Sequence, residues 1–201
     1  MRKALFVFVF CLLPLFVFAE NNLFNISKKL GVEEQKKLAQ ELYTQMAALA
    51  SNEKSELISL HTQVIENCPD SLRAQESCWK LSNLYLAGMY PPDFQSAKLV
   101  LEYLLKQYPD TQLVNEAKNR LLAVYKTLGE FDKVVELYEQ MFSLDPQQNS
   151  DKIFMARALD YAKALENIGR EQDAQNWYRA VIERDGGKNS IEARAATKRL
   201  K

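Results

Sequence analysis

The pattern that most constrains this chain is a spacing that returns four times. Val134, Tyr138 and Pro146 mark positions one, five and thirteen of a unit, and the same intervals separate Ala97, Leu101 and Pro109, then Ala174, Tyr178 and Gly186, and more faintly Leu57, His61 and Pro69. Successive units are offset by 40, 37 and 40 residues. Self-similarity on this scale marks a stacked array of supersecondary units, not one irregular core. In the clearest unit Val134, Leu137, Tyr138 and Met141 recur at helical intervals and form one apolar stripe. A lone helix hairpin cannot cover that stripe. Its neighbour can, at ~1.5–3 kcal/mol for each large apolar side chain fully buried.

The punctuation agrees with helices. Glycine and proline number six each and fall between periodic segments, not inside them. Helices are predicted over 32–50, 53–67, 72–87, 94–107, 112–128, 131–144, 150–168, 170–184 and 190–200. Gly129 and Gly169 sit at hairpin turns, and Asp110, Ser150 and Ser190 are expected N-caps. The Gly88-Met89-Tyr90-Pro91-Pro92-Asp93 run interrupts the pattern, because paired prolines cannot continue a helix. The last helix is expected to turn Ile191, Ala195 and Leu200 inward as a solvating cap over the final unit.

The stretch Leu128-Gly129-Glu130-Phe131-Asp132-Lys133-Val134-Val135-Glu136-Leu137-Tyr138, closing at Leu144-Asp145-Pro146, is similar to the second half of a tetratricopeptide repeat. Cys78-x-x-Leu81-Ser82-x-x-Tyr85, Lys118-x-x-Leu121-Leu122-x-x-Tyr125 and Ala158-x-x-Tyr161-Ala162-x-x-Leu165 match parts of its first helix. The resemblance covers roughly residues 53 to 186. It implies an all-α fold, a right-handed α-α superhelix of about four hairpins plus a C-terminal capping helix, over residues 32–201. The unit length exceeds the usual 34 residues of this repeat. The joints Pro69-Asp70-Ser71 and Pro109-Asp110-Thr111 resemble repeats of bacterial envelope proteins, the BamD-like and Tol–Pal-coordinator-like kinds.

The beginning of the chain supports such a location. Met1-Arg2-Lys3 precedes an uncharged run from Ala4 to Ala19, which is the layout of a secretory signal peptide with cleavage between Ala19 and Glu20. Pro14 and the short run argue against a lasting transmembrane anchor. A periplasmic or secreted protein is expected, with residues 20–31 as a flexible leader. Cleavage removes Arg2 and Lys3 from 26 basic residues and leaves 26 acidic ones, a formal charge of −2. So balanced a chain gives no electrostatic reason to expect nucleic acid as a partner. In an oxidising compartment Cys68 and Cys78 either form a disulfide or serve as two small buried hydrophobes; the sequence leaves both open.

No enzyme is indicated. His61 is the single histidine, the two remaining cysteines make no C-x-x-C element, and phosphate-loop, dinucleotide, zinc-protease and serine-elbow strings are absent. Neither a metal nor a cofactor is expected. The resemblance implies that first helices line a concave face, on which Glu76, Trp79, Lys80, Asn83, Asn119, Arg120, Lys126 and Lys163 would meet a protein partner. Leu159, Asp160 and Glu166 belong to the same predicted line. Trp79 either anchors that partner or packs against the neighbouring repeat. The expected function is an exported scaffold or adaptor. Self-association into homo-oligomers and binding of cell-wall glycan or a small ligand are the alternatives.

Overall fold

A computed structural model describes residues 23–200 apart from 28, 51 and 145–150. The expected export segment 1–19, the N-cap Ser150 and the repeat proline Pro146 lie outside the described residues. Among those described, the order is α1 (Val32–Ala48), α2 (Lys54–Asn67), α3 (Leu72–Asn83) continuing into a π-helical turn (Leu84–Gly88), α4 (Phe94–Gln107), α5 (Val114–Leu128), α6 (Phe131–Leu144), α7 (Asp151–Asn167), α8 (Glu171–Asp185) and α9 (Ile191–Thr197). The described residues form no strand. The fold is an all-α repeat solenoid: α1–α2, α3–α4, α5–α6 and α7–α8 are hairpins, and α9 closes the array. Each helix packs on the next in the chain, and the closer contacts between next-but-one helices join α1 to α3 and α7 to α9.

The repeated positions are where the burial is. Ala97, Leu101, Val134, Ala174 and Tyr178 are wholly buried, as is Leu104 one turn beyond Leu101. Leu101, Leu104, Val134, Ala174 and Tyr178 belong to one continuous cluster running from Phe24 and Ile65 to Val181 and Ala196, whereas Ala39, Leu42, Leu60, Val64 and Cys68 form a smaller cluster between α1 and α2. Alanines at repeat positions let helix backbones approach, and the larger side chains four residues on fill the space so defined.

Hairpin turns are tight for a backbone reason. Gly129 and Gly169 adopt φ of 74° and 78°. The following amides reach back, Glu130 N–H to Tyr125 O and Arg170 N–H to Leu165 O, each at 2.9 Å. A Cβ at either glycine would meet nothing within 4 Å. The left-handed angle, not space, therefore calls for glycine there.

Tyrosines bury their rings and bond with their tips, a pattern that repeats between hairpins. Tyr125 on α5 donates to Glu102 on α4 at 2.8 Å, and Tyr161 on α7 donates to Glu139 on α6 at 3.0 Å. Lys98 and Glu130 add a half-covered ion pair at 2.6 Å between the second and third hairpins. These bonds fix rotation of one hairpin on the next, which apolar packing alone specifies loosely.

Several expectations need correction. Asp110 is not a cap: residues 108–114 form successive turns, and α5 starts after Leu113. Asp93 caps α4 instead, accepting from Ser96 N–H at 2.9 Å and Ser96 Oγ–H at 2.6 Å, which holds its carboxyl below the usual range. Ser190 does cap α9, accepting from Ala193 N–H at 3.1 Å. That helix turns Ala193 and Ala196 inward and leaves Ile191 exposed, because Ile191 stands two residues from Ala193, about 200° round the helix and so off the buried face. The leader expected over 20–31 is anchored where described. Phe24 is buried edge-on to Tyr103 with ring centroids 4.7 Å apart, and Asn25 and Ser27 N–H donate to Glu66. An apolar ring in a mainly polar leader was enough to dock it.

Candidate functional site

The first helices α3, α5 and α7 present the expected partner-binding residues, and the structure joins many of them to one another. The Arg120 guanidinium on α5 lies 3.5 Å from the centroid of the Trp79 ring on α3, and Arg120 also donates to Ser82 Oγ at 3.2 Å. Both residues are half-buried. A flat cation over an indole face is attracted by the ring quadrupole and holds the ring in one orientation. Of the two readings of Trp79, the contact seen is the packing one: one face of the ring is covered by Arg120 of the neighbouring hairpin.

One hairpin further along, Lys126 on α5 and Lys163 on α7 both approach Asp160, at 2.8 and 3.6 Å. Exposed Asn119 lies one residue from Arg120 on α5. Glu76 is bound by Arg73 at 2.6 Å on its own helix. Leu159, expected on this line, is instead buried in the main cluster. The α7 stripe is wider than its repeat match suggests: Met155, Ala158, Leu159, Tyr161, Ala162, Ala164 and Leu165 are all buried. Glu166 receives hydrogen bonds from Tyr178 and Arg199 and so ties α7 to α8 and to the turn following α9.

Lys80 and Asn83 belong to a second feature that the sequence did not announce. They line a groove of about 570 Å³ between α1, α2 and the end of α3, with Tyr43, Met46, Leu57, His61, Leu84 and Ala87 among its walls. His61 is only 4% exposed. Its Nδ1 lies 3.2 Å from Ser77 Oγ, which also meets Tyr43 OH at 3.1 Å, and the Tyr43 ring stands edge-on to the imidazole. Burial, with the Lys80 ammonium as the smaller cause, brings the imidazole down from 6.5 to about 4.

The sign of the resulting pH dependence follows. Between those two values the unfolded chain binds the proton that folded His61 refuses, so stability is complete above about pH 6.5 and is lost as pH falls towards about 4. This group should account for a loss on the order of 3 kcal/mol over that interval. Urea titrations across the interval should show a shallower decline for His61→Phe than for the natural chain. Parallel declines would remove His61 as the cause.

Cys68 and Cys78 are free and buried, one in each apolar cluster. Burial pushes the Cys78 thiol up to about 12 and also raises that of Cys68. Such thiols are poor nucleophiles. Among the described residues no group of three His, Cys, Asp or Glu side chains could hold a metal ion, and no helix is long and apolar enough to cross a membrane.

An aromatic seam was also missed. Phe142 stacks on Trp177 at 4.8 Å, Tyr161 meets Trp177 edge-on at 5.0 Å, and Phe154 lies 6.1 Å from Phe142, joining the third and fourth hairpins. Trp177 stands beside the repeat tyrosine Tyr178, and that adjacency was the available signal.

No family model matches the chain, and no curated protein matches it. Solved structures do. Two structures of a Podosopora anserina putative kinesin light chain with nearly identical TPR-like repeats each superpose at a TM-score of 0.55 and 19% identity, over 84% of this chain and 82% and 83% of theirs. MamA aligns at a TM-score of 0.41 and 20% identity, over 79% of this chain and 97% of that one. The first two likenesses are of fold: the chain has a tetratricopeptide-like repeat architecture.

Proposed function

We propose that this chain is a protein-binding scaffold or adaptor, exported to the bacterial envelope, that receives a segment of a partner protein on the face formed by α3, α5 and α7. The observation carrying this reading is the line of side chains from Trp79 and Arg120 to Lys126, Asp160 and Lys163. It crosses three consecutive hairpins, is held in place by contacts between them, and remains partly open to solvent. A preorganised surface loses little conformational entropy when a partner binds. Tryptophan and arginine are also the side chains most often found at energetic centres of interfaces. The location rests on the signal-like beginning of the sequence and on the Pro-Asp joints.

A photo-crosslinking residue at position 119, expressed in the native organism, should capture a specific envelope protein. Trp79→Ala and Arg120→Ala should each weaken binding of the purified partner about tenfold. The double variant should lose less than the sum, because the cation and the ring act together. Strict additivity would mean that their stacking has no part in recognition. Full binding by both single variants would move the interface elsewhere.

A further inference from the structure

The groove between α1, α2 and α3 has a construction that the remaining hairpins lack among the described residues. Where α3 reaches its wall, the helix widens into the π-helical turn Leu84–Gly88. Single π turns are costly irregularities, retained most often where a helix must shape a site. Leu84, Ala87 and Gly88 of this turn line the groove, whose volume of about 570 Å³ is in the range that accepts a large side chain or small ligand.

Its polar groups are few and distinct. Lys80 is exposed at the groove and has no carboxylate partner among the described residues, whereas Arg73 on the same helix and Lys126 and Lys163 on α5 and α7 are paired. Asn83 brings an amide to the same wall. His61 commits Nδ1 to Ser77. Met46, Ala47, Leu57, Leu84 and Ala87 make the rest apolar. An unpaired cation beside an apolar recess favours an anion next to a hydrophobe and repels a cation there.

We propose that this groove seats one large apolar side chain of the partner segment, and that Lys80 pairs with an aspartate or glutamate adjacent to that side chain. The assignment rests on the partner-binding reading above and adds to it the chemistry of the segment recognised: an apolar anchor with an acidic neighbour, gripped beside the first hairpin.

A random peptide library displayed on phage, selected against the purified protein, supplies the probe; selected peptides are then labelled and titrated by fluorescence anisotropy. Enriched peptides should carry Leu, Ile, Phe or Met next to Asp or Glu. Lys80→Glu should weaken them roughly tenfold or more, and replacing the peptide acid by lysine should restore binding to that variant. Ala87→Trp, which occupies the groove from an exposed position, should weaken them similarly while Lys80→Glu retains the natural melting temperature. Peptides that ignore Lys80→Glu and Ala87→Trp but fail with Trp79→Ala would overturn the groove assignment and leave the concave-face reading standing. Selection of no binder would overturn both.

Discussion

Leu101→Ala is expected to lower the unfolding free energy by about 4 kcal/mol, measured as a shift of the urea midpoint at an unchanged slope. Leu101 is wholly buried on α4, at the repeat position shared with Tyr138 and Tyr178, where α4 meets both α3 and α5. Removing it takes apolar atoms out of the core and leaves a void that two rigid helix neighbours cannot close. Because each hairpin touches chiefly its neighbours, the damage should be graded along the chain. Hydrogen exchange should rise most in α3, α4 and α5 and least in α8 and α9. Uniform loss of protection from one end to the other would show that the array unfolds as a single cooperative block, and a shift below about 1 kcal/mol would mean that the cavity collapses.

Phe24→Ala should cost about 3 kcal/mol, close to the loss for a core aromatic, although the residue precedes the first helix. Its ring is buried against Tyr103, and the adjacent backbone is fastened by Asn25 N–H to Glu66 Oε1 at 2.8 Å and Ser27 N–H to Glu66 O at 2.7 Å. The strap therefore bridges α2 and α4, which belong to different hairpins. Leu23→Ala, one residue earlier and exposed, is the comparison and should change stability by less than about 0.5 kcal/mol. Equal, small effects of the two substitutions would mean that the strap adds nothing to the fold.

What the sequence disclosed and what it hid divide along physical lines. Helix positions were legible because Val134, Leu137 and Tyr138 repeat the period of a helix, and the hairpin turns because Gly129 and Gly169 mark a left-handed angle. The candidates on α3, α5 and α7 come from the resemblance to tetratricopeptide repeats, which assigns first helices to one face. Their mutual contacts were not legible: the Arg120 cation over Trp79 and the Asp160 bridge depend on how far consecutive hairpins rotate. Leu159 was misplaced because α7 is covered by α6, α8 and α9, so its buried arc is wider than one stripe. The groove was hidden for a related reason. One of its walls includes Leu84, Ala87 and Gly88 of a π-helical turn, and an added residue per turn leaves no mark in the pattern of apolar spacing. The strap was hidden because one buried ring in a polar leader has no period at all.

The Tyr125-to-Glu102 and Tyr161-to-Glu139 bonds use the same pair of side chains at successive junctions. The α5–α6 hairpin thus carries half of the fastening, Tyr125, on its incoming surface and the other half, Glu139, on its outgoing one. A gene segment encoding one such unit could be copied in tandem and the new junction would arrive already furnished with both halves. Lengthening the array, and with it the span of partner it can hold, needs no invention of new contacts.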